Sequence, residues 1–354
     1  MQTLIKQIRS HLNMSQTELA EHLNVTFATV NRWENGRAIP NKLAQTRLYE
    51  ICKEGAVPVY DLTLSKIKKT AESISLPAGH VLLHHGSKSG VEGKIEPKSR
   101  PQCDFGKGFY MGTEASQALT LICDYDKSKL YIVSVDLTDL DVVEVPADIE
   151  WAMLVAYHRG RMEKINGTPF YEKYRDLAKN KDLVIGSIAN DRMFYVIDNF
   201  FIGNITDAAL VGSLSALQLG KQYVAVTQKG CDAVKIETEI ELSYLERLFM
   251  KEVAEENRAK GVSLAGEICR NYRREGLFFD EILDKGNVCV RNNAVHIRSR
   301  IACIKVGKHV REHNSFRSIK AQACKLNIYT LGSRLKNKHF IFAANLVFNI
   351  IYQY

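Results

Sequence analysis

The stretch Ser15-Gln16-Thr17-Glu18-Leu19-Ala20-Glu21-His22-Leu23-Asn24-Val25-Thr26, continued through Arg32-Trp33-Glu34-Asn35-Gly36-Arg37, decides the reading of the N-terminal part of this chain. Ser15 can cap a helix that runs through Leu23, and Thr26 can cap the next, which Asn35-Gly36 stops. Ala20 is small where two helices would cross, and Leu19, Leu23, Val25 and Val30 fill the angle between them. Val30 and Trp33 face inward from the third helix. Phe27, Ala28, Thr29, Asn31 and Arg32 are left on its outer side, where a recognition helix reads the major groove. Working outward, Leu4, Ile8 and Leu12 recur at helical spacing on one flank. On the other, Pro40 starts a fourth helix carrying Leu43, Leu48 and Ile51.

The 354 residues suffice for two compact domains and a further helical unit, and 45% apolar with 25% charged residues is the composition of a globular protein. The net charge of +8 is unevenly spread. From Gly286 onward twelve Lys and Arg face a single acid, Glu312, so the preceding 285 residues are mildly acidic. Met1 to Asn13 carries charges and does not read as a signal peptide. Phe340 to Tyr354, broken by Asn345 and Asn349, is shorter than the ~20 apolar residues that span a bilayer. The expected location is cytoplasmic, with no membrane partner. Eight cysteines without a CxxC pair imply reduced thiols, with neither disulfides nor a metal site.

A connector, roughly Gly55 to Pro77, contains a helical patch with Lys66, Lys68 and Lys69. From Gly79 the pattern changes. His80 to Leu83 reads as a strand ending in His84-His85-Gly86-Ser87, and a polar loop leads to Asp104-Phe105-Gly106-Lys107-Gly108-Phe109-Tyr110. Strands are expected at 130–135, 183–186 and 223–227, and helices at 114–125, 148–162 and 206–218. Irregular mixing of the two implies an α+β domain. Residues 243–284 read as helical. The domain organisation expected is 1–60, a linker at 61–78, 79–240, a helical module at 241–285 and a basic tail at 286–354. The tail reads either as a nucleic-acid arm or as a readthrough or frameshifted end.

The first constellation resembles the phage-repressor (Xre/Cro-type) helix-turn-helix family over about 50 residues. The resemblance implies double-stranded DNA as partner, bound by a homodimer. Gln16 would touch phosphate or a base; Phe27, Ala28 and Arg32 would read bases; Thr29 and the capping Thr26 would lie by the backbone. Arg32 can pair bidentately with guanine and Phe27 can contact a thymine methyl. Residues 1–66 carry eight Lys and Arg against six acids. That modest charge keeps open a helical module used for protein contacts, and dimerisation would offset weak half-site binding.

Three segments in one order carry a second resemblance: Leu83-His84-His85-Gly86-Ser87, then Gly106-Lys107-Gly108-Phe109-Tyr110-Met111 with Glu114-Ala115-Ser116-Gln117-Ala118, then Lys221-Gln222-Tyr223-Val224-Ala225-Val226. Together, over about 79–237, they resemble the His-Tyr-Glu branch of the ADP-ribosyltransferases, which includes the poly(ADP-ribose) polymerases. The resemblance implies a split β-sheet and NAD as substrate, with no metal. It implies that His85 bonds a ribose hydroxyl, the Gly86 backbone pairs with the nicotinamide amide and Tyr110 stacks on the ring. Ser87, Gly108 and Phe109 would line the same site. Relatives with strong activity place Glu where Gln222 stands. A carboxylate stabilises positive charge at the anomeric carbon, whereas an amide only hydrogen-bonds. Polymer elongation is therefore not expected, and mono-transfer or slow NAD hydrolysis stays open. Asp191 and Glu172 are alternative acids, and Asn190-Asp191 would either line the cleft or cap a helix. Asp104-Phe105-Gly106 imitates a kinase motif, without the accompanying loops.

The resulting expectation is a mono-ADP-ribosyltransferase tethered to DNA, acting on an unknown acceptor, in a toxin–antitoxin or phage-defence setting. The alternative is a transcription regulator whose second domain senses NAD or a related nucleotide without chemistry.

Overall fold

The computed structural model describes residues 1–188, 191–217, 220–272 and 275–285, with backbone only at 191–195, 215–217 and 265. The basic tail at 286–354 and Asn190 lie outside the described residues.

The chain opens with four helices, α1 (Gln2–His11), α2 (Gln16–His22), α3 (Phe27–Glu34) and α4 (Lys42–Glu54). Ser15 and Glu18 cap α2 reciprocally: the Ser15 hydroxyl accepts from Glu18 N at 3.1 Å and Glu18 Oε2 from Ser15 N at 2.6 Å. Asn24 turns the chain between α2 and α3 in the left-handed region, φ 53°. Leu19, Ala20, Val30, Trp33 and Leu48 are buried as the apolar pattern requires. Leu43 is not: it is 73% exposed, and Ala44 takes the inward position instead, on the face it shares with Leu48 and Cys52 at four-residue spacing.

The expected linker is largely a helix, α5 (Val59–Glu72), which buries Val59, Thr63 and Ile67. Behind it, β1 (His80–Ser87), β2 (Phe109–Gly112), α6 (Ala115–Ile122), β3 (Lys129–Asp136), β4 (Val142–Glu144), α7 (Ile149–His158), α8 (Pro169–Leu177), β5 (Leu183–Ser187), α9 (Asp191–Phe201), α10 (Asp207–Leu217), β6 (Lys221–Ala225), α11 (Gln228–Asp232) and β7 (Val234–Glu241) build an α/β layer. The seven strands form one sheet in the order β4-β5-β6-β2-β1-β3-β7, with β4 and β5 parallel and the other pairs antiparallel. Register along β1 and β3 is continuous from His80–Asp136 to Ser87–Lys129. Between β1 and β2 it is confined to His84–Gly112, so the sheet parts at that seam.

One face of the sheet carries Leu83, Phe109, Met111, Tyr131 and Val133. On the other, Val184 and Val224 pack on Trp151, Leu154 and Val155 of α7 and on Phe200 and Leu210 of α9 and α10, while Leu130 and Ile132 pack on Ala118, Leu119 and Ile122 of α6. The helix expected at 148–162 ends at His158, and Gly160 at φ 67° turns the chain into a 3-10 turn at Glu163–Ile165.

The sequence places the long helix α12 (Tyr244–Asn271) in a module of its own. Its first turns instead complete the N-terminal core, where Leu245 and Phe249 join Leu4, Ile5, Leu48 and Cys52. Gln45 Oε1 accepts from Leu245 N at 2.9 Å. Another face of the same turns belongs to the second domain: Met250 packs with the α6 cluster, and Arg247 pairs with Asp126 at 2.6 Å. Helices α1 to α4 leave an apolar face that α12 covers together with Val57 and the start of α5, Val59. The described residues all fall in the first of two units, Met1–Val290. Among them no helix is long and apolar enough to cross a membrane, and no three His, Cys, Asp or Glu cluster as metal ligands.

Candidate functional site

Two regions were singled out from sequence. In the first, α3 presents Phe27 (51% exposed), Ala28 and Arg32 outward. Thr26 caps the helix and its hydroxyl also bonds that of Thr29 at 2.9 Å, so these two hydroxyls brace each other. Asn31 differs from the outward position expected. It is half-buried and donates to Gln16 Oε1 at 3.3 Å, while Gln16 Nε2 donates to Glu34 Oε2 at 2.6 Å. The reason is Glu34, which the apolar pattern did not flag. It is buried at the α1–α3 contact and takes a forked bond from Arg9 at 2.6 and 3.2 Å. Burial raises the Glu34 carboxyl, but the bonds from Arg9 and Gln16 outweigh it and hold the group below the usual carboxylate range. Gln16 and Asn31 are thus committed to joining α2 to α3.

In the second region, the partition between β1 and β2 creates the opening. His85, Tyr110 and Gln222 come from three strands and line one cleft of about 130 Å³, with Gly86, Gln117 and Leu121 on its α6 side. An adjoining hollow of about 360 Å³ shares His85 and Tyr110 and is lined further by Ser87, Gly108 and Phe109. The smaller space suits one ring with its substituents; together the two approach the size of sites for larger ligands.

The chemistry of each side chain follows from its partners. His85 Nδ1 lies 2.7 Å from the main-chain oxygen of Tyr110, across the β1–β2 gap. A carbonyl only accepts, so Nδ1 carries the hydrogen. Burial holds the imidazole below its ordinary value against the pull of that bond, and the neutral ring leaves Nε2 as an acceptor. Phe109 stacks on the ring at 4.1 Å and fixes its plane. The Tyr110 hydroxyl donates to Gly106 O at 2.8 Å and accepts from Phe105 N at 3.0 Å. Burial pushes this phenol up, which keeps it a donor, and the two bonds lock the ring. Ser87 donates to Gly90 O at 2.7 Å and so braces its own loop.

Glycines here serve packing as well as any ligand. A Cβ on Gly86 would meet Ala118 O of α6 at 2.7 Å, and one on Gly108 would meet Val224 Cγ1 at 2.4 Å. At Gly86 it is thus the α6 backbone that makes the close approach a missing side chain allows.

Gln222 is 7% exposed and pairs across the sheet with Gly112 and Gly186. Its Nε2 donates to Ser187 O at 2.8 Å and toward Asp104 Oδ2 at 3.5 Å. With the amide nitrogen facing two acceptors, Oε1 is the atom it can offer the cleft. Asp104, overlooked in the sequence because it imitates a kinase motif, is held by Arg159 at 2.7 Å, so its charge is balanced. Glu172 is at the surface of α8, paired with Arg175 at 3.0 Å, and is not among the cleft residues. The side chain of Asp191 lies outside the described residues.

Two residues that line the cleft each carry a buried atom without a hydrogen-bond partner, His84 Nδ1 and Gln117 Oε1. Burial keeps His84 below its ordinary value, against the opposing pull of the Gly112 and Thr113 backbone and of Glu114.

Residues 5–53 match the family model described as "Helix-turn-helix", and residues 81–236 match that described as "Protein of unknown function (DUF3990)". The chain thus carries an N-terminal helix-turn-helix domain of the DNA-binding type followed by a DUF3990 domain. Among curated proteins it is similar to the "Uncharacterized transcriptional regulator in ATPase CF(0) region" of Rhodospirillum rubrum, 36% identical over 55 residues, which are 16% of this chain and 48% of that protein. The chain spans about half the length of that relative. No solved structure matches it.

Proposed function

We propose that this chain is a DNA-binding transcriptional regulator whose second domain takes NAD in the β1–β2 cleft and transfers ADP-ribose to one acceptor at a time. One observation carries the reading: His85, Tyr110 and Gln222, far apart in the chain, line a single cleft. His85 Nε2 accepts from a ribose hydroxyl, the locked Tyr110 ring walls the nicotinamide, and Gln222 Oε1 accepts a second hydroxyl. The bond from the ribose anomeric carbon to the nicotinamide nitrogen breaks and leaves its electron pair on the ring. The acceptor's oxygen or nitrogen closes on that carbon and gives up a proton. Holding the sugar and ring in one orientation is most of what the site supplies. Two copies would sit on a palindromic operator through α3, with Arg32 and Phe27 at the bases.

A second reading, nucleotide sensing without turnover, is favoured by the neutral Gln222 amide and by the Arg159 partner that balances Asp104. Incubating the full chain with labelled NAD and total cell lysate separates the two. Transfer that disappears in His85→Ala supports the enzyme, and binding without transfer supports the sensor. Neither binding nor transfer would remove NAD from the account of this cleft.

A further inference from the structure

We infer that Glu114 is the carboxylate serving this cleft where Gln222 is neutral, and that it takes the acceptor's proton as ADP-ribose moves. The inference rests on the NAD-transfer reading of the same cleft.

Transfer from NAD develops positive charge at the anomeric carbon and releases a proton from the acceptor, so it calls for a carboxylate close by. Gln222 cannot supply one. Asp104 is engaged by Arg159 and lies on the nitrogen side of the Gln222 amide, behind the atom offered to the cleft. Among the described residues lining the cleft, Glu114 is the acid.

Its placement is set by the β2–β6 pairing. Gly112 lies opposite Gln222, and beyond it Thr113 N donates to Lys221 O at 2.9 Å while Lys221 N donates to Thr113 Oγ1 at 3.0 Å. These bonds carry the ladder one residue further and bring Glu114 beside the chain just before Gln222. A Cβ on Gly220 would fall 2.6 Å from Glu114 Cγ, so the absence of a side chain at 220 makes room for the Glu114 stem.

Two further facts keep the carboxylate available. Glu114 occupies the N-cap position of α6 but makes no side-chain capping bond there. Lys221, the neighbouring cation, is taken by Glu144 at 2.5 Å. Glu114 is itself exposed at the rim of the cleft, beside His84, which burial holds below its ordinary value with the Glu114 charge pulling the other way.

The balanced step is short. The glycosidic bond breaks with its electrons leaving on nicotinamide, the acceptor O–H or N–H (water in hydrolysis) bonds to the anomeric carbon, and Glu114 receives the proton. The test measures nicotinamide release from NAD by the full chain, alone and with cell lysate, together with NAD binding by calorimetry. Glu114→Gln should keep the NAD Kd and lower kcat about 100-fold with KM little changed. Turnover within twofold of the unmodified chain overturns the inference and leaves the transfer reading standing. NAD binding without turnover in the unmodified chain also overturns it and leaves the sensor. Loss of NAD binding in Glu114→Gln overturns it by making the side chain a support of the fold. Absence of NAD binding by the unmodified chain overturns both readings together.

Discussion

Glu34 shows how one buried carboxylate can organise a recognition surface. It receives Arg9 from α1 and Gln16 from α2 while sitting on α3, so three helices meet at one charge. Breaking such a pair on one side leaves an uncompensated group and costs about 3 kcal/mol. Because the folded carboxyl lies below its ordinary value, the stabilisation is present above the ordinary carboxylate range and is lost as pH falls through the depressed folded value. Thermal unfolding followed from neutral pH downward should show this acid-side loss, and Glu34→Gln should lower stability at neutral pH and flatten the acid limb. An acid limb unchanged by the substitution would assign that loss to other carboxylates. At this scale the sequence was legible for Phe27, Ala28 and Arg32, which local helical spacing turns outward. It was illegible for Gln16 and Asn31, whose partners depend on how α2 packs against α3.

The informative element is α12. Its helical character could be read from Leu245, Leu248, Phe249 and Val253, but spacing does not say what a helix covers. Leu245 is fully buried in the N-terminal core, and Tyr49 and Lys53 of α4 both bond Glu252 on the same helix. Leu245→Ala should therefore destabilise the helix-turn-helix by about 2–5 kcal/mol although it lies nearly two hundred residues away in sequence. Hydrogen exchange in α1 to α4 is the direct readout. Protection unchanged in the variant would mean that the four helices are stable without α12. The α5 segment carries the same lesson: its sequence reads as a connector with a helical patch, yet Val59, Thr63 and Ile67 supply a buried face.

On the scale of the molecule, the DNA-binding surface and the cleft share a frame. α12 contacts the N-terminal core through Leu245 and Phe249, and grips the turn after α6 through Arg247–Asp126 at 2.6 Å and Lys251–Asp124 at 2.6 Å. α6 in turn lines the cleft with Gln117, Ala118 and Leu121. A ligand that shifts α6 is thereby expected to change operator affinity, and the operator must change the ligand's affinity by the same factor. Anisotropy titrations of operator DNA with and without saturating NAD, paired with NAD calorimetry with and without DNA, test the reciprocity. Equal affinities in both comparisons would show the two sites to be independent.

What the sequence determined by itself was local: helices that cap with Ser15 and Thr26, a stop at Asn35-Gly36, and three short motifs in an order that named His85, Tyr110 and Gln222. Those features depend on neighbours within a few residues, where backbone geometry and side-chain type suffice. Tertiary structure alone decided that α12 finishes the first domain, that β1 and β2 part after His84, that the Gln222 amide turns its nitrogen away from the cleft, and that Glu114 stands beside it. Each of these depends on strand register or helix docking between segments remote in the chain, and residue spacing carries no record of which remote surface will be buried against which.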